Sequence, residues 1–383
     1  MKNRYYLLLL TFLTLYIACG QSGNTTRAGG TENWTIFRGD PQLTGVASGE
    51  LPEKPQLLWS FETGYDITST PVIAHGQVYI GSLDGQVYAL DEKTGESLWT
   101  FDAGDDIEAS PLIIDSTLYI GSLSGEFFAL DIHDGSEKWR FSADAEIYGA
   151  ANRLDLPERT GVLFGSYDFF VYCLNSQTGE LIWNVQTDNY VNGTPTTDGE
   201  QVVFGGCDEL LRIVDVPSGE QTGEVSTGSY IPSSPALYDG HAYFGHYGAR
   251  VFSVDLAKQK IIWTYAPEDG KAFFAPPAVN AEYVLIGSRD GALHALDRQT
   301  GEPLWTFQTR DDVDASPVIC GDRVVVPSND GRVYLVDLET GGAVWSYEIG
   351  EDLTAAPAVV NGRIYIGAED GRLYCFGEKY ENR

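Results

Sequence analysis

The chain is poor in positive charge, with 24 lysines and arginines against 55 aspartates and glutamates in 383 residues, a formal charge of −31. Such a surface repels phosphate backbones and anionic membranes, so nucleic-acid binding is not expected. Cysteine is scarce: beyond Cys19, the residues Cys173, Cys207, Cys320 and Cys375 are scattered. They show no metal-ligand spacing and are too few for a disulfide framework, so they are expected to be buried small residues. The histidines, His75, His133, His241, His246 and His294, show no paired ligand spacing, and His246, placed in a loop, is the one to inspect. No nucleophile elbow, zinc motif or phosphate loop is present. Methionine occurs once, at Met1, while glycine (43) and aromatics (12%) are plentiful, a composition that suits an all-β chain.

The N-terminus carries Lys2 and Arg4 followed by an apolar run from Tyr5 to Ile17. A membrane span needs roughly 20 apolar residues, so residues 1–18 are read as a signal peptide. Leu15-Tyr16-Ile17-Ala18-Cys19-Gly20 resembles a lipobox, which makes Cys19 the expected lipidated N-terminus; Gly20 behind it favours the outer membrane. Residues 19–33, rich in Gly, Ser, Thr and Asn, are expected to form a flexible tether. Removing residues 1–18 leaves 22 basic against 55 acidic residues, a charge of −33. What remains is larger than one ordinary core supports, so several domains or a closed repeat architecture is expected.

A unit reading "apolar, x, small, Ser, Pro, then VYIGSxDGxVYALDxxTGExLWxF" starts at Ile67, Ile107, Ile147, Val191, Ile231, Phe273, Val313 and Leu353, at intervals of 40 to 44 residues. The first unit divides into predicted strands from Pro71 to Ala74, Gln77 to Gly81, Gln86 to Leu90 and Ser97 to Phe101. Asp84-Gly85 and Thr94-Gly95 supply tight turns. Four antiparallel strands in about 40 residues is the period of a propeller blade. The expected fold is therefore all-β, an eight-bladed β-propeller over residues 34–383. Gln56 to Gly64 matches Glu96 to Gly104 and precedes the first full unit, so it is expected to be the fourth strand of the last blade.

Ala89-Leu90-Asp91-Glu92-Lys93-Thr94-Gly95 with Trp99, and Ala295-Leu296-Asp297-Arg298-Gln299-Thr300-Gly301 with Trp305, resemble the tryptophan-docking motif of pyrroloquinoline-quinone (PQQ) type propellers. The resemblance implies that Trp59, Trp99, Trp139, Trp183, Trp263, Trp305 and Trp345 dock onto neighbouring blades; Gly223 interrupts the series. Trp34 to Asp40 with Thr44-Gly45 also resembles the N-terminal signature of PQQ-like repeat proteins, which accounts for the RGD tripeptide Arg38-Gly39-Asp40. Two branches of the family matter. One is the BamB-like lipoprotein of the outer-membrane β-barrel assembly machinery, a non-catalytic scaffold; the other is the dehydrogenases that hold PQQ, usually with Ca²⁺, at the ring axis. No adjacent cysteines and no large insertion occur here, and the excess near Leu154 to Thr160 is only four residues. These departures disfavour the enzyme.

In a propeller the connections entering the first strand of each blade gather around one mouth of the channel. The residues just before the repeat starts include Asp66, Asp106, Glu146, Asp312 and Asp352, which predict an acidic half. Tyr190, Tyr230, Phe273 and Phe274, with Tyr247, predict an aromatic half. A rim of this kind suits a protein partner with a basic or extended segment, held partly by cation–π contacts. A close carboxylate ring could instead hold Ca²⁺. Asp84, Asp290, Asp330 and Asp370 lie on the same face but are explained by their turns. The expected protein is a monomeric, lipid-anchored scaffold on the outer membrane facing the periplasm, without catalytic, cofactor or metal residues; the alternative is a PQQ- and Ca²⁺-dependent oxidoreductase.

Overall fold

Each repeat folds as four short antiparallel strands because apolar residues alternate along it and glycine or aspartate stands at fixed turn positions. In the first repeat these are Val72–Ala74, Gln77–Gly81, Gln86–Asp91 and Ser97–Asp102, within a residue of the predicted bounds. The computed structural model describes residues 33–379, and these form eight small sheets, the blades of a β-propeller, without a helix among them. The expectations for residues 1–18, for Cys19 and for the tether up to residue 32 lie outside the described residues.

The second strand of a blade is almost wholly buried, whereas the outermost, Ser97–Asp102, alternates between exposed and half-buried positions. That gradient is what stacking of blades around an axis produces, since the outer strand alone keeps a face in water. The residue that opens each repeat is the wedge between blades. A Cβ added to Gly81 would lie 2.3 Å from Ile107 of the next blade, and one added to Gly245 would lie 2.3 Å from Phe273. Glycine at the end of the second strand thus makes room for a large apolar side chain from its neighbour.

The tryptophans close the outer joints. The Trp99 indole donates to Ile132 O at 2.9 Å, Trp139 to Ser176 O at 3.0 Å and Trp305 to Leu338 O at 3.0 Å, each in the following blade. Their rings lie on Gly135, Gly179 and Gly341, where a Cβ would come within 2.7 Å of the indole. Trp59, Trp183 and Trp263 repeat the bond to Glu92 O, Val216 O and Arg298 O. Trp345 packs instead against Phe376, ring centroids 5.8 Å apart.

Ring closure follows the sequence expectation. Gln56–Glu62 pairs antiparallel with Arg372–Gly377, with Trp59 opposite Cys375, and so supplies the outer strand of blade 8. Before it, residues 34–47 run inside the ring from blade to blade. Trp34 exchanges backbone bonds with Ile73, and the carbonyls of Thr35, Pro41, Gln42, Thr44 and Gly45 accept from Ile113, Thr197, Leu237, Val279 and Ile319. Val46–Ala47 then pairs parallel with Val318–Cys320 of blade 7. Arg38, 1% exposed, donates to Pro317 O at 2.7 Å and Pro277 O at 2.9 Å. The RGD tripeptide is therefore an internal tie, its arginine unavailable to any external receptor. The excess residues of blade 3 merely lengthen one hairpin, Asn152–Leu156 with Arg159–Gly165.

Candidate functional site

The residues two positions after the predicted rim set surround the axis. Thr68, Glu108, Tyr148, Asn192, Pro232, Phe274, Asp314 and Thr354, one from every blade, line a cavity of about 190 Å³ with Phe37 of the N-terminal segment. Of the predicted set, Phe274 alone reaches this cavity. Asp66, Asp106, Glu146, Tyr190, Tyr230, Asp312 and Asp352 do not line it. Their backbone carbonyls are tied down instead, Asp66 O accepting from Leu83 N, Tyr190 O from Cys207 N and Asp352 O from Glu369 N. Each bond fastens the loop to the turn between the second and third strands of the same blade.

Phe273 is a correction to the sequence reading. It is fully buried among Tyr243, Trp263 and Ile286, in the slot that Ile67 and Ile107 fill elsewhere. A phenylalanine there serves the joint between blades and cannot touch a partner. His246 is likewise 2% exposed and packs edge-on against Phe252, and burial pushes its imidazole below the ordinary range. The described cysteines form no disulfide.

Apart from Phe37 and Tyr65, the exposed and half-buried aromatics near the axis fall into two groups. In blades 3 and 4, Tyr148 lies 4.4 Å from Tyr167, Tyr167 stacks on Tyr190 at 4.5 Å, and Phe169 sits 5.2 Å from Tyr190. In blades 5 and 6, Tyr230 meets Tyr247 at 6.5 Å and Tyr247 meets Phe274 at 4.8 Å. Tyr190, Tyr230 and Tyr247 are 43%, 47% and 52% exposed. Sequence reading missed Tyr148, Tyr167 and Phe169, and also Tyr65, an exposed aromatic in the acidic sector. A signal existed for Phe169: it stands where five other repeats have a glycine, and its φ is +74°, while Glu209 and Ala249 hold the same turn position at +66° and +58°. A bulky residue held in the left-handed region is strained, and such strain collects at functional positions.

The carboxylates crowd one another around the rest of the mouth. Burial and then Asp106 hold the Glu108 carboxyl above the ordinary range. Burial, then Asp352, Asp66 and Glu351 do the same for Glu369, although a 2.9 Å bond from Thr354 opposes it. The acidic arc is interrupted in blade 7. There Arg289 donates to both oxygens of Asp314 at 3.0 to 3.1 Å and lies 3.8 Å above the Phe274 ring. The turn aspartates Asp84, Asp330 and Asp370 accept from Tyr88, Tyr334 and Tyr374, as Asp168 does from Tyr172, while His294 pairs with Asp290. Among the described residues, no three His, Cys, Asp or Glu side chains come together as a metal site.

Comparison with known proteins places this architecture. One match is 35% identical over 83 residues to the quinohemoprotein alcohol dehydrogenase ADH IIB of Pseudomonas putida, and it spans 19% of this chain and 12% of that relative. The solved structure of BamB from Moraxella catarrhalis superposes with a TM-score of 0.70 at 22% identity, over 86% of this chain and 99% of that one. The quinohemoprotein alcohol dehydrogenase from Comamonas testosteroni gives 0.76 at 14% identity, over 92% of this chain and 82% of that one. At such identities the structural likenesses speak for the fold alone. The family described as outer membrane protein assembly factor BamB matches residues 51–165, 158–265 and 207–383. With nearly every blade covered by that match, the chain belongs to the outer membrane protein assembly factor BamB family of PQQ-like repeat propellers.

Proposed function

We propose that this protein is a non-catalytic scaffold of the cell envelope that captures a protein partner on the face around the axial cavity, in the service of outer-membrane protein assembly. The observation that carries this reading is the exposed aromatic arc of Tyr190, Tyr230 and Tyr247, backed by Tyr167, Phe169 and Phe274, beside crowded carboxylates. Rigid tyrosines are favoured anchors of binding energy, and the acidic sector would steer a lysine- or arginine-bearing segment toward them. Membership of the assembly-factor family supports the setting. Cleavage before Cys19 and its lipidation would hold the propeller at the outer membrane, facing the periplasm.

Photocrosslinkers at Tyr190 and Tyr247 of the full chain, in its native envelope, test the reading. The expected result is an adduct with an outer-membrane assembly component; the adduct from position 247 should be lost in the Tyr190→Ala, Tyr230→Ala double variant while its melting temperature stays nearly unchanged. Replacing Cys19 by Ala should abolish incorporation of labelled fatty acid; persistent labelling would remove the anchor from the proposal.

The 83-residue match to a quinohemoprotein dehydrogenase favours a second reading, a PQQ- and calcium-dependent oxidoreductase. The lining residues fit that cofactor poorly. Small-molecule sites occupy roughly 300–1,000 Å³, more than the 190 Å³ here, and Glu108 and Asp314 face the space without a lysine, arginine or histidine in the described lining. The tricarboxylate quinone would meet like charge. Stoichiometric PQQ binding with substrate-dependent dye reduction, with and without Ca²⁺, would overturn the scaffold reading.

A further inference from the structure

Tyrosine hydroxyls inside the blades are paired: Tyr119 donates to Ser176 O, Tyr172 to Asp168 and Tyr365 to Glu92. Those of the stack at the mouth of blades 3 and 4 are not. The hydroxyls of Tyr148, Tyr167 and Tyr190 have no hydrogen-bond partner among the described residues, and none of the three is sealed from solvent. Successive rings lie 4.4 and 4.5 Å apart, with Phe169 5.2 Å from Tyr190. Burial, and then the charges of Glu108 and Glu146, hold the Tyr148 phenol above its ordinary range, so both carboxylates stand close beside the stack. The backbone beneath it is already engaged. Tyr167 N donates to Glu146 O at 2.9 Å, Cys207 N to Tyr190 O at 3.0 Å and Thr187 N to Phe169 O at 2.8 Å. An incoming strand would find no free ladder of N–H and C=O groups there.

We propose that the stack of Tyr148, Tyr167 and Tyr190 receives a proline-containing segment of the partner in the polyproline II conformation, with a lysine or arginine beside the prolines meeting Glu108 and Glu146. A helix uses its carbonyls internally, whereas a polyproline II segment makes no internal hydrogen bonds and offers its carbonyls to outside donors. Side-chain hydroxyls without partners are such donors. Two ring-to-ring steps carry the stack over at most about 9 Å, close to the rise of one polyproline II turn, three residues at about 3.1 Å each. Proline also fixes φ before binding, so the segment arrives ordered, and its apolar ring suits exposed aromatic surface such as Phe169. The second aromatic group offers no such stack: Tyr230, Tyr247 and Phe274 meet edge to face, and Arg289 already covers Phe274. That this face docks a partner at all rests on the scaffold reading; the class of segment follows from the stack.

The test uses the full chain in detergent, titrated calorimetrically with an acetylated and amidated peptide in which prolines surround a single lysine. Saturable binding is expected, weakened about tenfold or more when glycine and serine replace the prolines, since the flexible chain must then be ordered on binding. Glutamate in place of the lysine should weaken it by a similar factor. Tyr167→Phe keeps the ring and loses only the hydroxyl; it should weaken binding about fivefold, the scale of one net hydrogen bond, with an unchanged melting temperature. Tyr283→Phe removes a hydroxyl at the start of the second strand of blade 6, away from the stack, and should leave the affinity as it was. Equal affinity for the glycine-serine peptide, equal affinity for a strand-forming threonine-valine peptide with the same lysine, or a Tyr167→Phe variant that binds like the parent would each overturn the assignment. If the proline peptide fails to bind while Tyr190 still crosslinks its partner, the polyproline site falls and the scaffold reading stands. If the peptide binds and no assembly component crosslinks, the site stands and the assembly role falls.

Discussion

Gly223 faces Gln259 across the joint between blades 4 and 5, and a Cβ on Gly223 would lie 2.3 Å from Gln259 Nε2. At six other joints a tryptophan fills the place of Gly223 and a glycine that of Gln259, which here holds a φ of +53°. The large and small partners have changed sides. Gln259 also donates to Thr222 O at 3.2 Å, so the side chain bridges the blades as an indole does elsewhere. Gly223→Trp alone should clash and cost about 1–3 kcal/mol. Adding Gln259→Gly should return most of that loss, and a double-mutant cycle by urea unfolding should show positive coupling. Simple additivity would mean that this joint has diverged too far to accept the tryptophan.

Phe169 stores strain on the proposed docking face. With φ at +74° in a turn where glycine stands in five other blades, Phe169→Gly should raise stability by about 1 kcal/mol. The same change removes the ring 5.2 Å from Tyr190 and should reduce crosslinking from that position. Higher melting temperature with undiminished crosslinking would strip Phe169 of any role in docking.

Adjacent phenylalanines should behave oppositely. Phe273 is fully buried, so Phe273→Ala should cost about 3–5 kcal/mol. Phe274 lies on the cavity under Arg289, and Phe274→Ala should cost only about 1 kcal/mol, the scale of an exposed cation–π contact. Thermal unfolding of the two variants distinguishes joint from surface.

Alkaline pH should open the ring. Burial, and then hydrogen bonding to Asp330, pushes the Tyr334 phenol up to about 12; burial, and then Tyr148, does the same for Tyr167. Tyr88, Tyr172 and Tyr374 are raised further, each by burial and by the turn aspartate it bonds. A phenol raised in the folded state contributes stability that is complete below its unfolded value near pH 10 and is lost as pH climbs through the folded value. Arg38, lowered by burial to about 9, acts with opposite sign: folding gains as pH rises above that value, a single group against several tyrosines. Stability should therefore fall from about pH 10 toward 12, read as cooperative tyrosinate absorbance coincident with loss of the β signal. Gradual, non-cooperative titration would contradict the buried tyrosine–aspartate pairs.

The blades were legible in the sequence because each is built from contacts within one repeat. Strand ends around Gln77, Gln86 and Ser97, the Asp-Gly and Thr-Gly turns and the tryptophan spacing are all local, and repetition made each feature visible several times. The closing strand, Gln56–Glu62, was legible for the same reason, as a fragment of the repeat displaced to the front. The rim was harder. Which side chain turns toward the axis depends on how the loop bends after its carbonyl is captured by the turn beside it, as at Asp66 and Leu83. That bend moves the inward-facing position from Asp106 to Glu108 and sends Phe273 into the joint.

What the sequence alone determined is thus the number of blades, their order and the device that closes them, since short-range alternation and nearest-neighbour stacking suffice for these. Tertiary structure decided the rest. Arg38 reaches Pro317 and Pro277 only once the ring has closed, Arg289 pairs with Asp314 only across a blade boundary, and Glu108, Tyr148 and Phe274 share a cavity only because eight distant segments converge on one axis. Those contacts join residues far apart in the chain, and no periodicity along it encodes which way their side chains point.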